Sequence, residues 1–176
     1  MSISETKNYD LATLNMKTTN DFGELKLPAD LVRKLEYDLD RMVASGSDQY
    51  AAFDFFVTAD SIVDWIYPEI YNDKAATEKQ KKKQGELRKA NVLLRIASHI
   101  ANRAKHFVVT RHNSVTGIEK SRYVAKEYVA DGYFNDPLLV HLTMDEATFL
   151  GVHEYIEVIQ LARLVLQYWS AYEGVS

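Results

Sequence analysis

One 33-residue segment, residues 75–107, constrains the fold more than any other part of the chain. At about 100° per residue, five of its polar side chains point within about 40° of one direction, and small and apolar side chains cover the opposite arc. We call the five the polar stripe: Arg88, Arg95, His99, Asn102 and His106. The pattern predicts one long amphipathic helix, which Thr77 and Gln80 would begin as a capping box.

Composition indicates a single helical domain. The chain has 176 residues, 47% of them apolar, with seven Gly and three Pro. That length allows one sizeable core, and so few helix breakers favour long helices over a many-turned β design. Helices are predicted from Pro28 to Ser45 and over residues 49–67, where Pro68 ends the second.

The sequence changes character after residue 107. The segments VVTRH, IEKSRYVAKEYVA and LLVHLT, with a turn at NSVTG, are typical of short strands. Thr143 and Glu146 form a second capping-box pattern, which predicts one C-terminal helix through Tyr172. Its expected core-facing residues are Phe149, Val152, Ile156, Ile159, Leu166 and Trp169.

These patterns together predict a mainly α fold. We expect a helical bundle of about four helices, with a small antiparallel β-meander inserted at about residues 107–143, before the C-terminal helix. Residues 1–27 are expected to form an irregular arm, and residues 28–176 a single domain.

Several function classes are disfavoured by composition. The chain has no Cys, which excludes disulfides, thiolate nucleophiles and cysteine metal sites. Its net charge of −4 disfavours broad non-specific binding to nucleic acid. The polar start MSISETKNYD lacks a signal-peptide core, and no apolar run is long enough to span a membrane, so we expect a cytoplasmic protein.

Two carboxylates lie on the otherwise apolar second helix. Asp60 and Asp64 are one turn apart, and an unpaired buried charge is costly. We therefore predict a polar seam in which the second helix packs antiparallel to the long helix, with Arg95, His99 and Asn102 as partners of the acidic pair.

A metal site is the alternative for these carboxylates, since Asp60, Asp64 and one histidine could share an ion. His99 and His106 are about 10.5 Å apart along a helix, too far for both to join it. The sequence has no Glu-x-x-His pair of the di-iron type. We expect neither a metal nor another cofactor.

Three stretches resemble a known group: FFVTADSIVDWIYPE, LLRIASHIANRAKHF and the later QYWSAY. Across about residues 48–170 the chain resembles bacterial and phage helical proteins similar to the HEPN superfamily, many of them domains of unknown function. The resemblance implies a helical fold and self-association. In catalytic members it implies metal-independent ribonuclease activity, with an Arg followed by a His after four to six intervening residues.

The spacing in this chain departs from that motif. Three residues separate Arg95 from His99, two separate Arg103 from His106, and three separate Asn102 from His106. The departure favours a non-catalytic interaction module. The alternative is an endoribonuclease or toxin component, with His106 as base and Arg95, Arg103 or Lys105 stabilising the phosphorane. RNA or another anionic ligand at the stripe is the partner that this alternative implies.

Overall fold

The computed structural model of the protein describes residues 25–45, 48–70, 72–105, 114–120 and 137–175. In these ranges the chain is mainly helical, and a small antiparallel sheet precedes the C-terminal helix, as predicted. The elements are α1 (Pro28–Ser45), α2 (Gln49–Ile66), α3 (Lys74–Ala90), α4 (Val92–Lys105), β1 (Val115–Lys120), β2 (Leu138–Leu142), α5 (Met144–Leu150), β3 (Tyr155–Glu157) and α6 (Val158–Ala171). Residues 1–24 of the predicted arm lie outside the described residues.

The first two helices lie where the sequence predicts them. Pro28 is the first residue of α1, a position at which its missing N–H is not needed. α2 begins after Asp48, whose carboxylate accepts the backbone N–H groups of Tyr50 (2.8 Å) and Ala51 (3.2 Å). It ends two residues before Pro68.

The single long helix predicted over residues 75–107 is wrong, because the chain leaves helical geometry at Asn91 (φ −125°, ψ 129°). The Asn91 side-chain oxygen accepts the N–H of Leu93 at 2.8 Å and that of Leu94 at 3.4 Å. Asn competes for backbone donors in this way, and it is among the preferred residues at a helix N-terminus. Asn91 therefore begins α4 as a separate helix.

The predicted capping box at the start of this region is also wrong. Asp73 caps α3 by accepting the N–H of Ala76 at 2.9 Å. The Thr77 hydroxyl instead donates to the carbonyl of Ile70, at 2.9 Å. α3 therefore begins three residues before Thr77.

The one long C-terminal helix is wrong as well. α5 ends at Leu150, and Gly151 after it has the left-handed conformation (φ 65°, ψ 32°) that favours glycine at a helix end. The chain then forms β3 before α6 begins. Phe149 is 73% exposed as a result, whereas Ile156 and Trp169 are buried as predicted, at 2% and 0%.

The three strands form an antiparallel sheet in the order β1-β2-β3. Val115 is paired with Leu142 and Lys120 with Leu138, and the register shifts between Val115 and Gly117. Strand thus replaces part of the turn predicted at residues 113–117, and the predicted strand VVTRH lies outside the described residues. Leu138, Val140 and Leu142 alternate inward along β2, so one face of the sheet covers the core.

The core lies where the helices and the sheet meet. α2 packs against α1 and α4, and α6 contacts α1, α2, α4, β2 and β3. The largest fully buried side chains of the core include Phe55, Phe56, Ile62, Leu161 and Trp169. None of the described helices combines the length and the apolar character needed to cross a membrane.

Candidate functional site

Arg88 of α3 binds both carboxylates of α2. Its Nε donates to Asp60 Oδ1 at 2.8 Å, and its Nη2 donates to Asp64 Oδ1 at 2.9 Å. The same Nη2 donates to the Asp60 backbone carbonyl at 3.1 Å. The Asp60 side chain is 8% exposed and that of Asp64 is 53% exposed, so this clamp extends from the core to the surface.

A member of the polar stripe therefore binds the acidic pair, but it is Arg88, which was not among the predicted partners. Arg88 takes the place expected of Arg95, His99 and Asn102. The break at Asn91 puts Arg88 on α3 and the other three residues on α4. Burial alone would lower the pKa of Arg88. The charges and hydrogen bonds of Asp60 and Asp64 outweigh burial and raise this pKa above its ordinary value.

Arg95 of α4 makes its own ion pair with Glu146 of α5. The Arg95 Nε donates to Oε1 at 3.0 Å and its Nη2 donates to Oε2 at 2.7 Å, which is a bidentate contact. Its Nη1 donates to the Lys89 carbonyl at 2.8 Å. Each nitrogen of the guanidinium thus has a partner within the protein.

Glu146 is 6% exposed, and its hydrogen-bond partners offset the cost of that burial. Burial raises the pKa of Glu146, but hydrogen bonds from Arg95 and the Ser114 hydroxyl (2.8 Å) and the Arg95 charge bring it below its ordinary value. The hydrogen bonds that Arg95 donates to Glu146 raise the pKa of Arg95 against the opposing effect of burial. The predicted capping box is half formed, since Thr143 accepts the Glu146 N–H at 3.4 Å while the carboxylate binds Arg95.

His99 is 3% exposed and lies between α4 and the sheet. Its Nδ1 accepts the backbone N–H of Val115, the first residue of β1, at 3.1 Å. This contact requires an Nδ1 without a proton. It joins helix to sheet, and it places the ring away from solvent.

The other predicted site residues make local contacts. Asn102 donates to the Ser98 carbonyl (2.8 Å) and hydroxyl (3.3 Å) on its own helix. Arg103 Nη1 donates to the carbonyls of Val115 (3.3 Å) and Thr116 (3.2 Å) on β1. The side chain of Lys105 and all of His106 lie outside the described residues.

The contacts divide the predicted polar seam into separate interelement joints. Arg88 connects α3 to α2, Arg95 connects α4 to α5, and His99 connects α4 to β1. The described residues include no group of three or more His, Asp and Glu side chains placed to hold a metal ion. The joints hold charges in place within a packed protein, and none presents an accessible histidine.

Another ionic cluster among the described residues, between α1 and α2, is absent from the sequence prediction. Asp38 is 1% exposed and accepts hydrogen bonds from Lys34 and Arg41, while Arg41 also binds Asp54 at 3.0 Å. The spacing of Lys34, Asp38 and Arg41 is that of neighbours on a helix surface. That spacing was a usable signal for the pairing, although not for the burial of Asp38.

Comparison with family models, curated proteins and solved structures gives no match for this chain.

Proposed function

We propose that the protein is a non-catalytic helical interaction module of the HEPN-like kind, and that it self-associates. The bidentate Arg95–Glu146 pair carries this proposal. In this pair, a carboxylate of the same chain neutralises Arg95, the cation in the middle of the polar stripe.

RNA cleavage without a metal needs a histidine that reaches a 2′-hydroxyl and a cation that faces the developing phosphorane charge. His99 is 3% exposed and holds a backbone N–H, so it does not meet the first requirement. Arg88 and Arg95 are bound to carboxylates and do not meet the second. These contacts support a structural role for the described part of the stripe.

The surface that we assign to self-association is the segment from α5 to β3. Three of its large side chains are unusually exposed: Met144 at 63%, Phe149 at 73% and Tyr155 at 50%. The Phe149 ring also lies 5.6 Å from the Arg95 guanidinium carbon, which fixes part of this surface against α4. Burying such side chains is the main favourable contribution to protein association.

Sedimentation velocity over a range of protein concentrations tests the association. We expect a dimer that Phe149→Ser converts to monomer, because an exposed aromatic contact is lost. Tyr50→Ser is the matched control, since Tyr50 is 81% exposed on a different element. A wild-type protein that stays monomeric at all concentrations would contradict self-association.

Incubation with total RNA in EDTA tests the non-catalytic part separately. We expect no cleavage by the wild-type protein. Cleavage that is lost in His106→Ala or Arg95→Ala, and retained in the exposed-histidine control His153→Ala, would establish the endoribonuclease instead.

A further inference from the structure

A cleft lies between α2, α4, strands β1 and β2, and the start of α6. Its volume is about 510 Å³. This lies within the range of roughly 300–1,000 Å³ that is common for small-molecule sites. None of its lining residues belongs to α5 or β3, so the cleft is separate from the surface assigned to self-association.

Buried side chains of the hydrophobic core line part of the cleft. Phe56, Ile100 and Leu138 line it and are at most 5% exposed. Phe53 and Ile118 also line it and are 40% and 44% exposed. Large apolar side chains left partly open beside a core-lined cavity favour an apolar occupant.

Arg103 is the one charged residue among the described residues that line the cleft. Its Nη1 donates to two carbonyls of β1, which holds the guanidinium at the cleft. Within the described part of the chain, no carboxylate forms an ion pair with Arg103, unlike Arg88 and Arg95. The Nε and Nη2 edge therefore remains able to bind a carboxylate in the forked, bidentate way.

We propose that this cleft binds a small monocarboxylate with an apolar chain, its carboxylate on Arg103 and its chain against Phe53, Phe56 and Ile118. A single guanidinium matches one negative charge. The net charge of −4 on the chain further disfavours a polyanion in its place. Such a site has the usual composition of a ligand pocket, which is a mostly apolar lining with a few orienting polar groups.

Calorimetry and ¹H–¹⁵N NMR of the full chain, titrated with decanoate below its micelle concentration, test the proposal. We expect saturable binding at one site, with shift changes at the lining residues. Decanol should bind about tenfold more weakly, because it lacks the charged partner of Arg103.

Variants separate the two parts of the recognition. Arg103→Leu should weaken decanoate about tenfold and leave decanol unchanged, and Arg103→Lys should fall between, since it keeps the charge without the fork. Phe53→Ser should weaken both ligands. Arg163→Leu, at an exposed arginine of α6, is the matched control and should change neither. Equal decanoate affinity in wild type and a folded Arg103→Leu, shift changes confined to α5, or no binding by wild type would overturn the proposal.

Discussion

At the scale of residues, each buried carboxylate of the described residues is matched by a cation. Asp30, Asp38, Asp60 and Glu146 are the buried carboxylates of the described residues, and each has an Arg or Lys partner. Because a buried charge without a partner is costly, the sequence predicts that such partners exist. Helical spacing indicates the local partners of Asp30 and Asp38. It does not identify the distant ones, since Arg95 and Glu146 are 51 residues apart and meet only through the tertiary fold.

The Arg95–Glu146 pair should contribute measurably to stability. Glu146→Gln leaves Arg95 partly buried without its counter-charge, so we expect the free energy of unfolding to fall by about 2–3 kcal/mol at pH 7. Urea denaturation measures it. Glu119→Gln, at a side chain 65% exposed, is the control and should change stability by less than about 0.5 kcal/mol. An equal effect of both substitutions would contradict the assigned role of Glu146.

The same pair sets a pH dependence. The pKa of Glu146 is lower in the folded protein than its ordinary value of 4.5, so the folded state binds fewer protons. The stability contributed by this group is therefore fully present above pH 4.5 and is lost as the pH falls below that value. We expect the difference in unfolding free energy between wild type and Glu146→Gln to shrink below pH 4.5. A difference that stays constant down to pH 3 would show that the carboxylate charge does not cause it.

At the scale of elements, single residues such as Asn91 and Gly151 decide where a helix begins or ends. Asn91 and Gly151 interrupt two segments whose hydrophobic periodicity continues past them. A prediction from periodicity alone therefore joins elements that are separate in the structure. Both residues were usable signals, since Asn favours the helix N-terminus and Gly the position after a helix end. Pro28 and Pro68 gave correct bounds because their effect on a helix does not depend on tertiary context.

The break at Asn91 gives a prediction opposite to that from helix propensity. Asn91→Ala raises propensity, but it removes the acceptor for two N–H groups at the start of α4. We expect it to lower the unfolding free energy by about 1 kcal/mol. Asn91→Asp keeps the acceptor and should stay within a few tenths of a kcal/mol. A stabilised Asn91→Ala in thermal unfolding would mean that the chain prefers one continuous helix.

α3 depends on its polar contacts, because none of its 17 residues is buried. Arg88 is its strongest connection to α2, so Arg88→Leu should weaken the docking of this helix while the core remains intact. Hydrogen exchange should become faster across residues 74–90 and stay unchanged in α1 and α2. Lys89→Leu, at the neighbouring exposed position, should leave exchange in α3 as in wild type. Faster exchange across the whole chain would instead assign Arg88 to global stability.

At the scale of the whole molecule, the fold was more predictable than the site. Helices α1 and α2 and the fold class follow from hydrophobic periodicity and proline positions, which are local. The predicted polar seam and catalytic group depended on contacts between distant elements. His99 binds the first residue of β1, and Arg103 lines a cleft formed by α2, α4, the sheet and α6, and no periodicity in one segment contains either relationship.

The described residues share one hydrophobic core cluster with members from α1, α2, α4, α5, α6 and all three strands. We therefore expect one cooperative unfolding transition in which ionic joints at distant places act independently. Asp38→Asn should lower the unfolding free energy by about 3 kcal/mol, since Asp38 is 1% exposed and holds two cations. Asp38 and Glu146 share no partner, so the double variant Asp38→Asn/Glu146→Gln should show the sum of the single effects within about 0.5 kcal/mol. Urea unfolding followed by tryptophan fluorescence and by circular dichroism measures this. Two separate transitions, or a double variant no less stable than Asp38→Asn alone, would mean that the α1–α2 end and the α4–α5 end unfold as different units.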